Sequence, residues 1–220
     1  MADRGALGAN RPPEPVQPAG PAEPLCTRVL PALAPLTGEG VRLRISAGLT
    51  DDLLDGLWGG RYDLVIATAR SRWRTLAWEP PADEEFVLLA APAWAERIGV
   101  GPVAAEGPAA LRGVPLVSYA ENLPIDRRYW RHEFGTRLGG QTAITVPDLR
   151  GVLVAVVAGA GISVLPRYLC LDELASGAPV PLLTPKDPIN TTYLTRRPGS
   201  PDNPHVTLVR ERLLCVALTW

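Results

Sequence analysis

Between residues 41 and 70 the hydrophobic pattern changes period twice, and few folds accept such a stretch. Val41, Leu43 and Ile45 alternate with Arg42, Arg44 and Ser46, the two-residue period of a strand with one dry face and one wet face. A strand of this kind belongs at a sheet edge. Gly48-Leu49-Thr50 then turns the chain, and Thr50 followed by Asp51 and Asp52 has the chemistry of a helix start: a hydroxyl to accept an orphan N–H, then acids against the positive end of the dipole. Leu53, Leu54, Leu57 and Trp58 are spaced to form the buried side of that helix, and Gly59-Gly60 stops it. Tyr62-Asp63-Leu64-Val65-Ile66-Ala67 is a mainly apolar run bounded by turn residues, as expected of a central strand covered on both faces. A strand, a helix and a second strand in so short a span imply a right-handed crossover in a parallel sheet.

The chain around this unit has room for a sizeable core. Its 220 residues are 46% hydrophobic and 20% charged, with a net charge of -1, so no electrostatic excess draws it to nucleic acid. Of the 22 basic residues only Lys186 is a lysine, a coding bias that weakens any argument from an isolated arginine. Cys26, Cys170 and Cys215 are too far apart and too few for a disulfide framework or a metal site. Met1–Gly5 leads into no apolar signal segment, and the longest apolar stretch, residues 152–165, is too short to span a bilayer. A cytoplasmic protein without membrane contact is expected.

Pro12, Pro13, Pro15 and Pro18 mark residues 1–19 as a flexible tail. Leu25, Val29, Leu30, Leu33 and Leu36 then recur at helical spacing, with a kink predicted at Pro31. Residues 75–78 and 85–90 read as strands joined by an acidic turn at Ala82-Asp83-Glu84, residues 114–119 and 142–146 as strands, and residues 125–137 as a helix packed through Tyr129, Trp130 and Phe134. Pro147-Asp148 starts a helix that is apolar all round over Val152–Val157 and is therefore predicted to be buried. A strand over residues 162–165, a helix over 167–175, a strand over 191–196 and a helix beginning at Asn203-Pro204 complete the chain.

Four stretches carry a family resemblance. The run Val41–Gly48 with Asp52–Leu57 and Gly60–Ala67, then Glu85–Ala90 followed by Pro92-Ala93-Trp94-Ala95, then Val157–Pro166 with its Gly159-Ala160-Gly161 turn, resembles the effector-binding domain of LysR-type transcriptional regulators, in order and in spacing. The resemblance implies an α/β fold of two lobes with mainly parallel sheets and a ligand cleft between them, similar to type 2 periplasmic binding proteins. Lobe one would comprise residues 20–88 and 188–220, and lobe two residues 89–187. The family's first strand should lie just before Gly20, where Pro18 argues against it. Its winged helix-turn-helix cannot be written into nineteen Pro-rich residues, so DNA contact is expected only through a module this chain lacks. The resemblance further implies a small-molecule effector such as an organic acid or metabolite, which shifts a conformational equilibrium in proportion to its differential affinity. It also implies a homodimer. An apolar stripe on the helix over residues 23–36, with Leu33 at its centre, is the expected interface.

Ligands of an open parallel sheet sit outside the C-terminal strand ends. The positions so placed are Pro21, Ala22, Gly48, Leu49, Thr50, Thr68 and Arg70 in lobe one, with Tyr119, Glu121, Pro147 and Asp148 in lobe two. Thr50 can cap a helix, contact a ligand, or do both; Arg70 can clamp a carboxylate or stay solvated; Tyr119 can serve core or contact. No hydrolase, Walker or zincin motif appears, and His132 and His205 have no partner spacing that suggests metal or a triad. Neither catalysis, cofactor nor metal is expected. A stand-alone solute-binding protein would need an export signal, and a two-lobe enzyme such as a dehydratase would need an acid and a base in the cleft, for which only Glu121 and Asp148 are candidates.

Overall fold

A computed structural model describes residues 14–68, 75–139, 141–184, 187–199 and 203–218. They divide into two units: described residues up to Pro81 and from Tyr193 onward form unit 1, and Ala82–Thr192 form unit 2. The chain begins with β1 (Pro18–Gly20), α1 (Ala22–Pro24), a π-helical turn (Leu25–Val29), α2 (Leu30–Leu33) and a 3₁₀ segment (Ala34–Glu39). It continues through β2 (Ser46–Ala47), α3 (Thr50–Trp58), β3 (Leu64–Ala67) and β4 (Ala77–Glu84). Unit 2 then contributes β5 (Phe86–Ala90), α4 (Pro92–Ile98), α5 (Val100–Glu106), a 3₁₀ segment (Gly107–Leu111), β6 (Val117–Ser118) and α6 (Pro124–Phe134). After β7 (Ile144–Thr145), α7 (Leu149–Val157), β8 (Ile162–Pro166), α8 (Leu171–Ser176) and β9 (Val180–Pro181), the chain returns through β10 (Asn190–Arg196) to α9 (Pro204–Ala217). Strands β4 and β10 each run across the division between the units.

The sheet of unit 1 has the order β2-β1-β3-β10-β4. Strand β2 is at its edge and β3 is internal, with all four β3 residues buried. The first strand, doubted on account of Pro18, is present and lies between β2 and β3, parallel to both. Pro18 is tolerated because good rungs stand on either side of it: Val16 N–H donates to Arg42 O at 2.8 Å and Gly48 N–H to Gly20 O at 3.1 Å. The tail expected to reach residue 19 therefore ends earlier, since Val16 is fully buried.

Helix α3 buries Leu53, Leu54 and Leu57 against β1 and β3, at roughly 1.5–3 kcal/mol for each side chain. Trp58, expected beside them, is 48% exposed, while Gly56 lies close against the Tyr62 ring. An added Cβ at Gly56 would meet the Tyr62 ring at 2.4 Å, so the glycine sets this approach. The helical stretch before β2 accommodates Pro31 by widening rather than by an abrupt break. Leu30 N–H donates to Leu25 O, five residues back, so the π-turn spares the carbonyl the proline ring would strike. Leu25, Val29, Leu33 and Leu36 are all buried, and Leu30 alone of the expected interface stripe is exposed. The stripe is core because α9 covers the helix, with Arg212 Nε donating to Ala32 O at 3.1 Å.

In unit 2 the order is β8-β5-β9, beside a two-stranded β6-β7 sheet. Every residue of β5 is buried. Phe86, Leu88 and Ala90 pack with Tyr129, Trp130 and Val103, while Val87 and Leu89 pack with Leu149, Val152 and Val156. Two helical layers, one on each face, thus explain the unbroken apolar run. Helix α7 is not buried all round: Val154 is 68% exposed. The strand directions are more mixed than "mainly parallel", since β5 runs antiparallel to β8 and β9, and β10 antiparallel to β3. The acidic turn expected at residues 82–84 is strand, because β10 offers it partners: Thr191 Oγ1 donates to Asp83, Asn190 Nδ2 to Glu84 and Thr192 Oγ1 to Ala82 O. Gly161, at φ +148, lies against Pro115 so closely that a Cβ would sit 2.1 Å from the Pro115 carbonyl oxygen.

Candidate functional site

The three parallel strands of unit 1 end together. Register pairs Gly20 with Ala47 and Ala19 with Val65, so the chain leaving β1 at Pro21-Ala22, leaving β2 at Gly48-Leu49-Thr50 and leaving β3 at Thr68 follows one rim. There the Thr50 and Thr68 hydroxyls share a hydrogen bond at 3.3 Å. Thr50 is the first residue of α3 and makes no cap; the position before the helix is Leu49, in extended conformation and without a capping side chain. The N-terminal amides of α3 and two hydroxyls consequently open on the same rim. Leu49 is well exposed beside them. Arg70 lies outside the described residues.

Unit 2 repeats the arrangement with β6 and β7, parallel and paired Val117 to Ile144 and Ser118 to Thr145. Val146 N–H donates to Ser118 O at 3.0 Å, which carries the pairing to the strand ends. Tyr119 and Glu121 follow β6, while Pro147 and Asp148 follow β7, so these four share a rim of their own. Tyr119 is half-buried, whereas Glu121 and Pro147 are exposed. Asp148 is engaged at home. Its Oδ1 accepts the Arg150 N–H at 2.8 Å as the cap of α7 and Arg150 Nε at 3.0 Å, and its Oδ2 accepts Arg150 Nη2 at 2.8 Å. The Arg150 guanidinium and amide hold this carboxyl below the ordinary range.

One element of this rim was not legible in the sequence. Ser118 Oγ donates to Asp126 Oδ2 at 2.6 Å, and both residues are buried, Asp126 to 1% exposure. Burial pushes the Asp126 carboxyl up to about 6, against the pull of the Ser118 hydroxyl and of the Asp126 and Val164 backbone amides. Asp126 Oδ1 nevertheless has no hydrogen-bond partner among the described residues. The only sequence signal was an acid in a first helical turn, which ordinarily reads as solvated. Among the described residues no group of three His, Cys, Asp or Glu side chains is placed to hold a metal, and no helix is long and apolar enough to cross a membrane.

Each of the two α/β units gathers backbone ends and polar side chains on the rim of its parallel strands, the place where ligands sit in open parallel sheets. The LysR substrate binding domain matches residues 22–217, and the chain belongs to that family. It is 46% identical over 206 residues to the HTH-type transcriptional regulator AbaB of Streptomyces antibioticus, an alignment covering 92% of this chain and 68% of that regulator. The fold is also similar to the C-terminal domains of a LysR family protein from Agrobacterium tumefaciens, with TM-score 0.76, 22% identity and coverage of 93% of this chain and 96% of that one. It is similar again to full-length LysG from Corynebacterium glutamicum with bound effector Arg, with TM-score 0.73, 18% identity and coverage of 94% and 69%. The chain is thus the effector-sensing domain of a LysR-type transcriptional regulator, with a type 2 periplasmic-binding-protein-like fold.

Proposed function

We propose that the effector is a small organic acid or metabolite recognised on these rims, with Thr50 and Thr68 as its principal polar contacts in unit 1 and with Pro21, Ala22, Gly48 and Leu49 around them. Tyr119, Glu121 and Pro147 supply the contacts of unit 2, with Asp148 shaping α7 beside them. The observation that carries the reading is the Thr50–Thr68 pair: two hydroxyls from different strand ends, 3.3 Å apart and used by no helix cap. Hydroxyls and free helix amides suit an anionic or polar group. Binding of this kind calls for no catalysis. The domain acts in the cytoplasm as a homodimer, for which the open edge of β2 and the exposed Leu30 are the support.

The test is a thermal-shift screen of small organic acids and amino acids, arginine included because the LysG structure holds it, followed by calorimetry on each hit. Thr50→Val and Thr68→Val should each weaken a hit by about fivefold, the equivalent of one neutral hydrogen bond. Affinity unchanged in both variants would remove the rim of unit 1 from the site. Light scattering that finds only monomer at micromolar concentration would exclude the dimer.

A further inference from the structure

The loop leaving β6 carries Tyr119, Ala120 and Glu121 to the rim of unit 2, and its two ends are held unusually. At its far end Leu123 adopts φ 52 and ψ 48, a left-handed conformation that is strained for a leucine. Leu123 is the only non-glycine residue with positive φ among the described residues. Its N–H donates to Ala120 O at 3.1 Å, and its own carbonyl accepts the Arg127 N–H at 2.9 Å. Such a backbone persists only where its surroundings over-determine it.

The two ends of the loop are bonded to each other. Ser118 closes β6 and Asp126 is the third residue of α6, so the 2.6 Å hydrogen bond between them spans the whole loop. Its length is that of a hydroxyl donating to a carboxylate. Ser118 is also tied through its carbonyl to Val146 N–H at 3.0 Å, one residue before Pro147. One serine therefore joins both rim segments to the first turn of α6. Of the elements packed against α6, β8 contains only Ser163 as a polar side chain and the 3₁₀ segment Gly107–Leu111 contains none, and β6 contains only Ser118. On α6 itself, Tyr129 and Glu133 are the titratable neighbours on the same face.

We propose that Asp126, acting through Ser118, is a positioning residue for the effector rim of unit 2: the buried bond holds the loop over residues 119–123 in the strained conformation that presents Tyr119 and Glu121. Its functional meaning rests on the rim being part of the effector site, while the loop conformation itself is testable without any ligand.

Hydrogen exchange of the unliganded protein, read at single amides by NMR, provides the test. Ser118→Ala should speed exchange at Leu123 about tenfold or more, the share of a hydrogen bond to a charged group, with the β5 amides unchanged. Ser118→Thr, which keeps the hydroxyl, should restore wild-type exchange. In the same Ser118→Ala sample the Asp126 carboxyl carbon should titrate at higher pH than in the wild type, because the donor that favours the ionised form is gone. Unchanged exchange at Leu123, an increase shared equally by β5, or an Asp126 midpoint that does not move would overturn the proposal. The screen for effectors fails or succeeds independently of these readings.

Discussion

Replacing Asp126 by Asn keeps the shape of a side chain exposed to 1% and removes its charge at every pH. In the folded wild type the carboxyl titrates at about 6 instead of its ordinary 3.8, because burial penalises the ionised form more than Ser118 and the nearby amides relieve it. The interval between 3.8 and about 6, at about 1.4 kcal/mol per pH unit, amounts to about 3 kcal/mol. A raised folded-state value means that the folded protein binds the proton more tightly than the unfolded chain does. The contribution of Asp126 to stability is thus fully present below about pH 4 and is lost as pH rises through about 6. Above that, the wild type holds a buried charge with one bare oxygen, and the Asn variant does not. Urea denaturation of both proteins from about pH 4 to pH 8 should show the variant gaining on the wild type by up to about 3 kcal/mol across this window, with the change centred between the two values. The asparagine amide meets a different set of neighbours, which offsets the whole curve without altering its slope. A difference in unfolding free energy that stays flat with pH would refute the reasoning, since it would mean that the Asp126 carboxyl titrates at the same pH in the folded and unfolded protein.

Leu33→Arg should yield no cooperatively folded protein, because it forces a charge into a fully buried position under α9 at a cost of about 4 kcal/mol or more; a soluble variant with the wild-type circular dichroism and melting curve would show the residue faces outward. Gly161→Ala should lower stability by about 3 kcal/mol or more in urea titration, since the methyl group meets the Pro115 carbonyl at 2.1 Å on a backbone at φ +148; a wild-type midpoint would show that the turn can relax. Cys26 and Cys215 are exposed and Cys170 is buried, its thiol pushed up to about 12 by burial and by Glu173. Iodoacetamide near pH 8 should therefore alkylate two thiols in the native protein and three in urea, and native labelling of Cys170 would contradict that burial. Thr50→Val should change the melting temperature little, as the hydroxyl caps no helix; a loss of about 1 kcal/mol would indicate the cap that the sequence pattern predicted.

Local pattern by itself determined much of this protein. The alternation at Val41–Ser46, the acids after Thr50, the apolar run at Leu64–Ala67 and the caps at Asp148 and Asn203 are short-range signals, and the structure places there an edge strand shortened to Ser46–Ala47 with one isolated bridge at Leu43, a helix, a central strand and two capped helices. They were legible because each depends on contacts within a few residues, and the same order of elements carried the family resemblance. Where the answer depended on a distant partner, the pattern misled. Pro18 could enter a central strand only because Val16 and Gly48 supply the neighbouring rungs, and Glu84 became strand only because Asn190 lies across from it. The stripe around Leu33 was indistinguishable from an interface until α9, from the other end of the chain, was seen to cover it. The Thr50 hydroxyl likewise looked like a cap and instead meets Thr68, and Asp126 looked like a solvated first-turn acid and instead bonds Ser118 in the interior. The spacing of residues along a chain reports which face of an element is dry, but burial of a polar atom, the choice of its hydrogen-bond partner and the resulting shift of its ionisation belong to pairs that only the tertiary structure brings together.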